Sequence, residues 1–106
     1  MEIGRAIRKD GNSEIYVQKR SVCFSACVLI LAGGVQRFAF GQVGTHIPYQ
    51  SNPSNDPEHA QQWFNKVRVD LERYLRQMNV SNSLFEAMMT TPPERVRILR
   101  SQAELV

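Results

Sequence analysis

Cys23-Phe24-Ser25-Ala26-Cys27-Val28-Leu29-Ile30-Leu31-Ala32-Gly33-Gly34 is the stretch around which the chain is organised, with Arg37 and then Gly44-Thr45-His46 following it. It reads as a short polar turn, a serine, and an apolar helix from Ser25 to Ala32 that two glycines close. A helix apolar nearly all round is buried on most sides. The N–H groups of its first turn have no helical acceptor and lie at the positive end of the helix dipole. Such groups stabilise an oxyanion, and a nearby histidine takes a serine proton. Ser25 as nucleophile, His46 as general base and the Ala26 N–H as oxyanion donor therefore supply the parts of a nucleophilic site. Taken singly, a serine here is more often an N-cap, and a histidine at a strand end more often a structural residue.

On either side of this stretch the pattern is β-like. Glu14–Val17 is a short strand, and Gln36–Phe40 alternates with Phe38 and Phe40 on one face. Gly41-Gln42 turns the chain into Val43–Ile47, where Val43, Thr45 and Ile47 lie opposite Gly44 and His46. Strand, helix and strand joined this closely make a βαβ unit. Ligands in such sheets bind beyond the carboxyl ends of the strands. Ser25 follows the first strand there, and the hairpin after the helix is expected to bring His46 back beside it. Glu2–Lys9 reads as a helix with Ile3, Ala6 and Ile7 on one face, stopped by Asp10-Gly11-Asn12.

The second half is helical. Pro48–Pro57 is a loop, and Asp56 and Pro57 suit the N-cap and first position of a helix. Ala60, Trp63, Phe64, Val67, Leu71, Tyr74, Leu75 and Met78 then recur at three- and four-residue steps, which predicts an inward face, while the opposite face mixes both charges. Ser81 or Asn82 caps a shorter helix through Met89, and Thr90-Thr91-Pro92-Pro93 breaks it. Glu94 is expected to begin another turn and Ser101 to cap a last one. The reading is an α/β fold in one domain, residues 1–106: a small βαβ sheet with its core at 14–48 and a C-terminal helical segment at 57–106.

A chain of 106 residues is one domain with little core to spare. Its formal charge of +3 comes from arginines scattered among acidic residues, a solvated surface rather than a nucleic-acid face. The longest apolar run, Ala26 to Gly34, is too short for a transmembrane segment, and Met1–Asp10 is too charged for a signal peptide. No cofactor motif is present. Three readings compete for Cys23 and Cys27: buried free thiols, the default for unpaired cysteine; a local disulfide across the helix start; or half of a metal site, for which His46 and His59 supply no recognisable pattern.

The run Cys-x-Ser-Ala-Cys, apolar helix, Ala-Gly-Gly, Arg37 and Gly-x-His resembles the Clp-protease-like proteins, whose fold is shared with the Clp proteolytic subunit and the crotonases. It is most similar to their predicted periplasmic branch. The resemblance implies a partial Clp/crotonase-like fold, Ser25 as nucleophile and His46 as base, a peptide or protein substrate, self-association, and a periplasmic or envelope address. It also implies a chain cut at both ends, because the family's glycine-rich oxyanion strand precedes Met1 and a further strand segment follows the last helix. The family's third residue, an aspartate, has no match in Thr90, Thr91, Pro92 and Pro93. The expectation is a serine hydrolase that is weak or inactive. The alternative is a non-catalytic scaffold binding a peptide or partner, and acyl-thioester chemistry is a third, weaker reading.

Overall fold

Four short β-rich segments, two on each side of the apolar helix, set the architecture. The computed structural model describes residues 1–49 and 55–99. In it, Glu14–Val17 (β1) and Val22–Phe24 (β2) precede the helix Ala26–Ala32 (α2), and Gln36–Ala39 (β3) and Gln42–Thr45 (β4) follow it. β1 runs parallel to β3 with Ile15 opposite Arg37, and β2 runs parallel to β4 with Phe24 opposite Gly44. Both paths bend at the same level. On one, the Ser21 N–H donates to the Gln18 carbonyl around Arg20, whose φ is 72°. On the other, the N–H groups of Phe40 and Gly41 both donate to the Val17 carbonyl. Gly41 lies so close to the Ser21 and Gln18 carbonyls that a side chain there has no room.

This corrects two sequence expectations. The segments Gln36–Phe40 and Val43–Ile47 do not form a hairpin: the chain bends at Phe40–Gly41 instead of reversing, and each strand pairs with an earlier one. A further strand, Val22–Phe24, also stands immediately before the helix, where only a polar connection and turn were expected after Glu14–Val17. A third correction lies near the end. Arg97–Ile98 (β5) pairs antiparallel with β4 where Glu94 was expected to begin a helical turn. The expected cap at Ser101 lies outside the described residues.

The helices Glu2–Lys9 (α1), Pro57–Gln77 (α3) and Asn82–Met89 (α4) pack around α2 and the strands. Asp56 caps α3 by accepting from the Glu58 N–H at 3.0 Å, and Ser81 caps α4 by accepting from the Ser83 N–H. The strands form two sheets, β1–β3 and β2–β4–β5. The core joins Val17 of the first and Cys23 and Val43 of the second to Val28 and Leu31 of α2, with Leu71, Tyr74 and Leu75 of α3, Met78 at its C-terminal cap, and Leu84 and Met88 of α4. Only the later half of α3 is buried; Trp63, Phe64 and Val67 are half-buried. The inward face is the expected one, but 21 residues of helix measure about 31 Å. Burial runs out before the helix does: Leu71, Tyr74 and Leu75 are buried, whereas residues 57–67 include no buried side chain.

Two arginines fasten the helix ends. Arg8 donates to the carbonyls of Ala32, Gly33, Gly34 and Met78, and Arg37 to those of Ala32, Gly34 and Met78. These are carbonyls that helices leave without internal partners, at their negative ends. Burial, with Arg8 beside it, lowers the Arg37 pKa from its ordinary value. The result is a small mixed α/β domain, and among the described residues no helix is long and apolar enough to cross a membrane.

Candidate active site

Parallel pairing of β2 with β4 brings two carboxyl ends together. Phe24 lies opposite Gly44, so Ser25 and His46 leave the sheet side by side, and the Ser25 N–H donates to the Gly44 carbonyl at 3.2 Å. Between strand and helix, Ser25 takes φ 56° and ψ −122°. A residue with a side chain pays on the order of 1–3 kcal/mol for such a backbone, and such outliers cluster at functional sites. The hydroxyl makes no capping bond to α2. It turns instead to the imidazole, with Ser25 Oγ 2.6 Å from His46 Nε2. Ser25 thus holds the N-cap position of α2 without its hydroxyl capping the helix.

The chemistry of its neighbours fixes the imidazole tautomer. His46 Nδ1 lies 2.8 Å from the Ile47 carbonyl, which only accepts, so Nδ1 carries a proton. In the neutral ring Nε2 is then the acceptor and the Ser25 hydroxyl the donor. Ile47 is held in turn: its N–H donates to the Thr91 carbonyl at 2.7 Å, and the Thr91 hydroxyl donates to the Ala87 carbonyl at 2.7 Å. The segment Thr90–Pro93, which offers no acid, thus steadies the histidine through the backbone. The Tyr49 ring leans over the imidazole, centroids 5.7 Å apart and planes tilted by 36°.

Ser25 and His46 sit at a cleft of about 260 Å³ whose walls include Leu29, Val67, Leu71, Met88 and Pro48. No charged side chain lines it among the described residues. Thr45, also in its lining, is 1% exposed, and its Oγ1 has no hydrogen-bond partner among the described residues. Ala26 is the first residue of α2, so its N–H belongs to the helix's open first turn beside Ser25.

Cys23 and Cys27 form a disulfide, Cα atoms 5.2 Å apart. This overturns the default reading of buried free thiols. Strand end and first helical turn approach closely enough to join, and only Cys23 is buried, while Cys27 is exposed. No group of histidine, cysteine, aspartate or glutamate residues is arranged to hold a metal ion among the described residues.

The sequence did not disclose the roles of the Ile47 carbonyl or of Tyr49. Any residue type supplies a carbonyl, so no residue signal exists for the first. For the second, the only cue is an aromatic three positions beyond the histidine. Compared with known proteins, the chain matches no protein-family model, no curated protein and no solved structure.

Proposed function

We propose that the chain is a slow serine hydrolase of the peptidase kind on a partial Clp/crotonase-like fold. Ser25 passes its hydroxyl proton to His46 Nε2 as Oγ attacks the substrate carbonyl. The Ala26 N–H stabilises the resulting oxyanion, and the imidazolium returns the proton to the leaving group. Water then releases the acyl group by the same steps in reverse roles. The apolar cleft accommodates an apolar side chain or acyl group next to the bond that is cut.

The observation that carries this reading is the 2.6 Å contact between Ser25 and His46, made from a backbone conformation that a simple cap does not need. Slowness follows from what supports the pair. Exchanging a triad's aspartate for asparagine loses a factor of about 10⁴, chiefly through the wrong tautomer. Here the Ile47 carbonyl keeps the tautomer, but a neutral group stabilises an imidazolium less than a carboxylate does. This reading assigns one oxyanion donor, and a site working with one donor fewer loses about 10²–10³. The disulfide accords with an envelope address, where thiols stay oxidised.

Labelling by a fluorophosphonate tests the reading, because the probe reports an activated serine whatever the substrate. Labelling at one site is expected, lost in Ser25→Ala and slowed at least roughly a hundredfold in His46→Ala. Absence of labelling in the parent chain refutes it.

The non-catalytic alternative has its own observation. Tyr16 and Phe38 of the β1–β3 sheet and Phe40 just beyond it stack in a ridge with centroids 4.9 to 6.5 Å apart, and Tyr16 and Phe40 are 52% and 63% exposed. Such a ridge suits a protein partner or a second copy of the chain. Under that reading, Ser25→Ala leaves partner binding intact.

A further inference from the structure

The disulfide joins the residue two before Ser25 to the residue two after it. The strained turn is therefore enclosed in a covalent loop: strand end, Phe24, Ser25, Ala26, first helical turn. We propose that the Cys23–Cys27 disulfide is a reducible staple that holds Ser25 in its reactive conformation, so that a dithiol reductant switches the site off. The proposal rests on the hydrolase reading and adds its regulation.

Non-covalent contacts at the turn are few. The Ser25 N–H bonds to the Gly44 carbonyl at 3.2 Å, and the Val28 N–H to the Ser25 carbonyl at 3.0 Å. Ser25 and Ala26 are exposed, and the Ser25 hydroxyl is spent on His46. Among the described residues no further hydrogen bond outside the helix itself holds the turn against relaxation of φ from 56° to the negative values an L-residue prefers. Relaxation withdraws Oγ from Nε2. The rest of the core does not depend on the bond, because Cys23 stays among apolar neighbours as a thiol or as half of a disulfide.

Burial also decides which sulfur reacts. Cys23 is 1% exposed and Cys27 is open to solvent. An incoming thiolate attacks Cys27 Sγ, forms a mixed disulfide there and displaces Cys23 Sγ with the bonding electron pair; Cys23 then takes a proton from water. In a dithiol, the second thiolate attacks the reductant's own sulfur in the mixed disulfide. The reductant leaves as a disulfide, and Cys27 leaves as a thiolate that is then protonated. Two electrons and two protons pass to the protein. A monothiol stalls at the first step, because Cys23 lies beside the adduct and recloses the bond. The fitting reductant is thus an exposed-dithiol oxidoreductase or its small-molecule equivalent, dithiothreitol.

The full chain is compared oxidised, reduced with excess dithiothreitol, and reoxidised. Reduction is expected to slow fluorophosphonate labelling of Ser25 by roughly 5- to 100-fold, the population shift that one strained residue implies. Circular dichroism should stay unchanged, and reoxidation should restore the rate. The double substitution Cys23→Ala with Cys27→Ala should label at the reduced rate in every condition. Equal rates before and after reduction overturn the proposal, and so does collapse of the whole fold. If the oxidised chain is not labelled at all, the hydrolase reading fails, and the staple is then read by hydrogen exchange. Faster exchange after reduction confined to residues 24–28, with Leu71–Met78 unaffected, supports it; no change, or a uniform change, overturns it. A brief pulse of glutathione, quenched in acid, should place its adduct on Cys27; an adduct on Cys23 overturns the proposed route.

Discussion

Thr45 carries a hydroxyl that the fold shuts away without a partner among the described residues. Replacing such a group by an apolar one of the same shape removes a desolvation penalty, so Thr45→Val is expected to raise stability by about 1 kcal/mol. Urea unfolding checks this, and a loss of stability would show that the hydroxyl is satisfied in solution. Tyr74 is the opposite case. It is fully buried, its hydroxyl donates to the Leu29 carbonyl, and burial pushes its pKa up against the pull of Arg5, Arg8 and Arg37. The unfolded chain releases that proton first, near pH 10. The stability Tyr74 contributes is therefore whole below pH 10 and is lost as pH rises through its own higher value. Tyr74→Phe should lower stability by about 1 kcal/mol at neutral pH and flatten the alkaline fall, measured by unfolding at pH 8 and above pH 10. At this scale, the meeting of Ser25 and His46 was legible because a serine opening a helix and a histidine closing a strand both stand at carboxyl ends of strands. The Ile47 carbonyl and the strain at Ser25 were not, since both are properties of backbone geometry.

Among the elements, α3 shows where periodicity informs and where it stops. The spacing of its apolar residues gave the inward face, but not how far the rest of the molecule extends along it. Leu71→Ala should cost about 2–5 kcal/mol, as in a packed core. Trp63→Ala, at a half-buried position beyond the core, should cost about 1–2 kcal/mol. Equal losses in thermal unfolding would show that the first turns of α3 are packed as tightly as the last. The ends of α2 and α3 depend on the two arginines. Arg37→Ala should cost roughly 1.5–3 kcal/mol, and Arg37→Lys should recover less than half, because one ammonium does not span the Ala32, Gly34 and Met78 carbonyls. The helices α1, α3 and α4 were readable from caps, breakers and spacing. The strands were readable as β-rich runs, but their partners were not. The preference of Gln36–Phe40 for β1, and not for the segment that follows it, depends on the close backbone approach at Gly41, which no local pattern encodes.

For the whole molecule, the exposed ridge of Tyr16, Phe38 and Phe40 lies on a two-stranded sheet and just beyond it. Open strand edges and exposed apolar ridges recruit other chains. Light scattering is expected to show self-association at roughly tens of micromolar, and Tyr16→Ser with Phe40→Ser should shift the protein to monomer. A parent chain that is already monomeric there counts against the ridge as a contact. The pairing of β2 with β4 also has a consequence for how such a chain tolerates insertions and deletions. Ser25 and His46 each follow the end of a parallel strand, so the base is located by counting residues from the Phe24–Gly44 pair. Removing one residue from Gln42–Thr45 turns every later side chain to the opposite face and replaces the imidazole with its neighbour. Lengthening the connection at Gly33–Val35, which lies outside the paired stretches, leaves that count untouched. Variation in length is therefore confined to the connections, and the five residues Gln42 to His46 form a ruler that cannot be shortened or extended.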